Sequence, residues 1–141
     1  MKRDINREII GILQPIINQV YDDVLSLSKK DKYSMMLLTP KLQRNTLRAD
    51  KSGCDIVGLD GFAFEVKRCE RLELDKWWKQ TLRQAGDTKE PVLFYRQNRG
   101  KWRVRMLQDC FHATMLIDVS IEDFKAWFKS CLICNLSPST K

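Results

Sequence analysis

Two acids and a lysine stand inside an otherwise apolar stretch, "GCDIVGLDGFAFEVKRCE", at residues 53–70. They are Asp55, Glu65 and Lys67. A charge in a buried strand is costly unless something compensates it. Two carboxylates held close together repel unless a cation lies between them. Oxygen ligands of this kind suit Mg2+, which keeps part of its water shell and takes up phosphate oxygens. Such an ion can polarise a phosphodiester and lower the pKa of a bound water. An ammonium group beside it can orient that water or balance charge in the transition state. The same three residues could equally form a salt-bridge cluster on a surface, and spacing alone does not choose between the two.

Whether the acids meet depends on the hairpin that carries them. Two short apolar strands flank Asp60 and Gly61. If the loop has two residues, opposed positions sum to 121, Asp55 faces Val66, and the acids point to opposite sides. If it has three, Leu59 to Gly61, they sum to 120 and Asp55 lies opposite Glu65, with Lys67 on the same face. Three-residue loops commonly end in a left-handed residue, which glycine adopts without penalty. The second register gathers Cys54, Ile56, Phe62, Phe64 and Val66 on one face and Asp55, Val57, Ala63, Glu65 and Lys67 on the other. The first would mix Asp55 with the phenylalanines, and register is held by avoiding such mixtures. The odd loop is therefore expected, with Gly61 at positive φ.

The hairpin must be positioned by the elements around it. Ile5, Ile9, Ile12, Ile16, Val20, Val24 and Leu27 recur at steps of three and four, which predicts a helix over 4–28, kinked or restarted at Pro15. Glu8 flanks that apolar stripe. Residues 29–32 are a polar break and 33–39 a possible strand. Residues 40–53 form a basic approach to the hairpin, with Lys41, Arg44, Arg48 and Lys51 against Asp50. Asp75 can cap a helix that stops at Gly86. "PVLFYR" (91–96) reads as a central strand. In "KWRVRML" (101–107), Lys101, Arg103 and Arg105 alternate with Trp102, Val104 and Met106. A strand over 114–119 and a helix over 121–134, capped by Ser120 with Asp123, complete one α/β domain. The tail from 137 is expected to be frayed.

The chain has 141 residues and a net charge of +7, from 25 Lys and Arg against 18 Asp and Glu. That length suits one domain with a real core, and the basic balance suggests an anionic partner, nucleic acid first. Arg96, Arg99, Lys101, Arg103 and Arg105 fall within ten residues that contain no acid. No apolar run reaches the roughly 18 residues of a membrane span, and "MKRDINREIIG" does not read as a signal peptide. The five cysteines are odd in number and scattered, as reduced thiols in a cytoplasmic or other reducing compartment would be. Cys131 and Cys134 form one C-x-x-C without the further ligands of a zinc site. His112 has no nucleophile motif near it and reads as structural.

D-x9-E-x-K set in apolar strands, with "GCDI" followed by "FEVKR", resembles the PD-(D/E)XK nuclease superfamily, and most of all its Holliday junction resolvase-like branch. Cys54 stands where the family motif has proline. The resemblance covers residues 44–96 best. It implies a restriction-endonuclease-like core, a central mixed sheet flanked by helices, with 1–136 a single nuclease-like domain and 137–141 a flexible tail. It implies that Asp55, Glu65 and the Val66 carbonyl hold Mg2+, with Mn2+ a substitute, and that Lys67 supports the attacking water. Gln80 and Gln84, on one helix face, and Glu8 on the first helix would join the site. The substrate implied is DNA, branched or junction DNA in particular, and the assembly a homodimer. Lys41, Arg44, Arg48, Lys51, Arg68, Arg96, Arg99, Lys101, Arg103 and Arg105 would hold flanking phosphates. The alternative is a nuclease-fold DNA-binding or regulatory protein without catalysis. An RNA-binding reading of strand 101–105 is weakened because Trp102 faces away from its cations.

Overall fold

The computed structural model of the protein describes residues 4–28, 39–45 and 54–136. Helix α1 is Ile5–Ser28. Asp4 caps it, its carboxylate accepting the backbone N–H groups of Asn6 and Arg7 at 3.1 and 3.2 Å. Ile9, Leu13, Ile17 and Val20 are buried, as a helical stripe should be. Pro15 does not divide the helix, which runs through it uninterrupted. Both Pro15 and Gly11, whose carbonyl loses its partner, are exposed, so the lost bond lies away from the core.

Strands β1 (Gln43–Arg44), β2 (Ile56–Val57) and β3 (Phe62–Cys69) follow, then helix α2 (Leu74–Ala85). Strands β4 (Glu90–Gln97), β5 (Arg103–Cys110) and β6 (Ala113–Ser120) lead into helix α3, Ile121–Leu136. Among the described residues the strands form one six-stranded sheet in the order β1-β2-β3-β4-β5-β6. β3 and β4 run parallel, joined by α2, and every other neighbour is antiparallel. This is an α/β fold with a mixed sheet, consistent with a restriction-endonuclease-like core.

Alternation along the central strands assigns the two faces. Phe62, Phe64, Val66, Val92, Phe94, Val104 and Met106 join Ile9, Leu13, Ile17, Phe124 and Phe128 in the main core, under α1 and α3. Phe64 meets Phe94 and Phe128 with ring centroids 5.8 and 6.3 Å apart. The opposite face is covered by α2. There Trp77 and Trp78 pack on Leu93 and Tyr95, and Ala85 packs with Ala63 and Cys54. Cys54 thus lies with Ala63 rather than with the phenylalanines, because it precedes β2 and is outside the strand's alternation.

Two caps differ in detail. Asp75 is in the first turn of α2, whose N-cap position is Glu73 and carries no side-chain cap. Gly86 ends the helix as expected, at φ +57. The Ser120 hydroxyl accepts the Asp123 N–H at 3.1 Å and caps α3. β5 starts at Arg103, so Lys101 and Trp102 precede it. The strand anticipated at 33–39 lies outside the described residues except for Thr39.

Candidate active site

The hairpin adopts the odd register. Ile56 pairs with Phe64, a sum of 120, and Asp55, just before β2, bonds to Phe64 and Val66 on either side of Glu65. Gly61 has φ +92, as that loop needs. Gly58 is also left-handed, at φ +116, and a Cβ there would sit 2.1 Å from the Lys41 carbonyl oxygen. A side chain at 58 would therefore prise β2 away from the segment that leads into β1. The Asp55 backbone is held from both sides. Its N–H donates to the Phe64 carbonyl at 3.1 Å, and its carbonyl accepts the Asn45 N–H at 3.0 Å. Asn45 Nδ2 also donates to the Cys54 carbonyl at 3.0 Å. Asn45 fastens the acidic strand, and nothing in its sequence context marked it for that task.

Glu65 is 1% exposed, and both its carboxyl oxygens are buried. Burial, followed by the charge of Asp55 and a hydrogen bond to it, pushes its pKa up to about 9; Lys67 opposes that rise. Asp55 is fixed differently, with Oδ2 accepting the Val66 N–H at 2.9 Å. Two carboxyl groups thus meet, Asp55 half-buried and anchored to the backbone, Glu65 buried against it. That is the donor set a hard divalent cation satisfies. Val66 turns its side chain into the main core, and Lys67 shares the acids' face.

Helix α2 roofs this face, and its rotation is pinned. Asp75 lies 3.9 Å from Arg105 on β5. At 100° per residue, Gln80 and Gln84 fall on the flank opposite Asp75, and both are half-buried. Gln84 Oε1 is buried and lacks a hydrogen-bond partner. Glu8 lies 3.8 Å from Arg96, which alternates onto the face of Phe94.

The candidate cations fall into three groups. Arg96 stacks on Trp102 at 5.6 Å and pairs with Glu8, and Arg44 pairs with Asp4. Arg105 forks onto Asp118 with contacts of 3.0 and 3.1 Å, and Tyr95 donates its hydroxyl to the same carboxylate at 2.7 Å. Burial pushes the Asp118 carboxyl up, but the hydrogen bonds from Arg105 and Tyr95 outweigh it and hold the group below its usual range. Lys41, Arg99, Lys101 and Arg103 are exposed, and Arg68, the ladder neighbour of Arg96, is half-buried. Arg48 and Lys51 lie outside the described residues. Cys131 and Cys134 are free thiols, and no group of three His, Cys, Asp or Glu side chains among the described residues could hold a metal.

With this geometry in place, the comparison with known families becomes specific. The sequence profile of one family, described as "Phage putative PDDEXK endonuclease", matches residues 43–129. The chain belongs to that family. The matched span runs from β1 into α3, so it takes in Asp55, Glu65, Lys67 and the roof helix. No curated protein and no solved structure matches the chain. Membership supports nuclease activity on DNA and the divalent-metal dependence general to PD-(D/E)XK nucleases. No helix among the described residues is long and apolar enough to cross a membrane.

Proposed function

We propose that this family member is a Mg2+-dependent endodeoxyribonuclease selective for branched DNA, of the Holliday junction type. One observation carries the catalytic part: the carboxyl group of Glu65, buried in the sheet and held against that of Asp55. In this reading Asp55, Glu65 and the Val66 carbonyl hold the ion. When bound, it would supply Lewis-acid polarisation of the phosphate and a more acidic water. The Val66 N–H keeps Asp55 Oδ2 in place, which leaves Oδ1 for the ion. Lys67 orients the water for in-line attack and balances charge as the leaving oxygen departs. Gln84 Oε1 offers that water a further acceptor, and Gln80 sits one turn before it. Glu8 acts at a distance, by holding Arg96 flat on Trp102.

Lys41, Arg68, Arg99, Lys101 and Arg103 would take flanking phosphates, joined by Arg48 and Lys51 from the loop before the hairpin. Such contacts position DNA without reading its sequence. Branch selectivity and a homodimeric assembly rest on the resemblance to junction resolvases, and a reducing intracellular location on the odd, scattered cysteines. The test is a cleavage panel of junction, flap, duplex and single-stranded DNA, with Mg2+, with Mn2+ and with chelator. Metal-dependent cutting that favours junctions is expected. Cutting of every substrate alike would remove the selectivity. Binding without cutting in either metal would leave a nuclease-fold DNA-binding protein.

A further inference from the structure

Among the described residues no strand or helix pairs with the far edge of the sheet. β6 is the last strand in the order and is eight residues long, whereas the other edge strand among the described residues, β1, has two. Its pairing with β5 is continuous from Arg103↔Ser120 to Cys110↔Ala113, with no bulge. Natural sheets protect such edges with lysine, proline, bulges or a covering element. β6 has none of the first three, and most of it is exposed. Met115 and Leu116 are 51% and 47% exposed. Its one charged side chain, Asp118, is already engaged by Arg105 and Tyr95. Residues 106–121 contain no Lys or Arg, although the chain has 25. At the hairpin tip Phe111 is 99% exposed and holds φ +56, a costly conformation for an aromatic residue.

We propose that β6 pairs antiparallel with β6 of a second copy of this chain, about a twofold axis at Leu116. The register is self-complementary. Leu116 meets Leu116, Met115 meets Ile117, and Ala113 meets Val119. Thr114 faces Asp118 and can donate its hydroxyl to that carboxylate. The same register sets Phe111 against Ile121 of the partner subunit, which gives the exposed ring an apolar seat. A slip by two residues in one direction would put Leu116 opposite Asp118 and Phe111 opposite Asp123, and in the other would set Leu116 opposite Thr114. The strip free of Lys and Arg also lets two basic bodies approach with little repulsion. Sheets twist by roughly 20–25° per strand, so the two Asp55–Glu65 pairs would face directions strongly rotated from one another. They would lie seven strand spacings apart, roughly 34 Å, close to one turn of duplex DNA. The pairing itself does not depend on the nuclease reading; only the use of that spacing does.

Sedimentation equilibrium of the full chain at micromolar concentration tests the pairing. The expected mass is twice the 16.6 kDa of one chain. M115K/L116K should give a monomer with an unchanged far-UV spectrum, since both side chains are already half exposed. F111S should weaken association without abolishing it. Hydrogen exchange should show β6 amides gaining protection as concentration rises. A monomeric wild type, a dimeric M115K/L116K variant, or protection gained elsewhere and not in β6 would each overturn the proposal. A dimer that fails to cut any DNA would leave this interface standing and defeat the nuclease reading instead. A monomer that cuts would do the reverse.

Discussion

Glu65 gives this protein a dependence on pH that can be separated from all its other acids. Its folded pKa, pushed up to about 9, lies above the 4.5 of the unfolded chain. The folded state therefore binds the extra proton across that window, and stability falls as pH rises through it. The stabilisation is complete below about pH 4.5 and gone above about pH 9. Melting of metal-free wild type and Glu65→Gln across this range should show a downward slope in the wild type that the variant lacks. Mg2+ should raise the wild-type melting temperature most at the alkaline end, where the carboxylate is ionised, and should do little for the variant. Equal slopes in both proteins would mean Glu65 is not the buried acid responsible. The partner residues separate by role. Asp55→Asn should abolish cleavage while DNA binding persists, and near-normal cutting would remove Asp55 from the site. Lys67→Ala should keep metal affinity but slow cutting by about a hundredfold or more. Calorimetry that found metal binding lost would reassign Lys67 to the ion's own shell.

At the scale of elements, the hairpin and its neighbours do most to hold the acids together. Gly58 and Gly61 are both left-handed, yet their surroundings differ. Gly58 has the Lys41 carbonyl where a Cβ would go, whereas Gly61 has open space. Gly58→Ala should destabilise by at least about 2 kcal/mol and loosen β1, and Gly61→Ala should cost only about 1 kcal/mol. Urea melts of the two variants measure this, and equal midpoints would mean that β2 does not rely on the close approach. The register was legible in advance because one face had to be apolar, and only the 120 sum allowed that. Pro15 was harder to read. A proline inside a helix kinks or spares it according to which side faces the core, and that side is fixed only when α1 docks.

The whole molecule changes how the basic strand works. Had Lys101, Arg103 and Arg105 all been free to meet phosphates, replacing them would flatten the salt dependence of DNA binding by about 3 × 0.9, or roughly 2.7. Arg105 is committed to Asp118, so the triple alanine variant should lose only about 2 × 0.9, or roughly 1.8, in the slope of log K against log salt. Arg105→Ala alone should leave the slope unchanged. A loss near 2.7 would show that DNA draws Arg105 away from Asp118. The window of ten residues without an acid was a correct reading of the chain. The acid that answers it comes from β6, thirteen residues further on from Arg105.

The sequence by itself determined what depends on near neighbours. The alternation of β3, the glycine turn, the helical stripe of α1, the Ser120 cap and the acid pair's shared face all follow from local sterics and from keeping polar atoms out of the core. Tertiary structure decided the rest. It laid α2 over the face that carries Glu65, sent Glu8 to Arg96, spent Arg105 on Asp118, and brought Asn45 to the backbone of Asp55. Each of these is a meeting of residues from separate elements. Their side chains are long, and several partners of the right charge or hydrogen-bonding type lie along the chain. Only packing selects among such partners, because it fixes which of them come within a few ångströms.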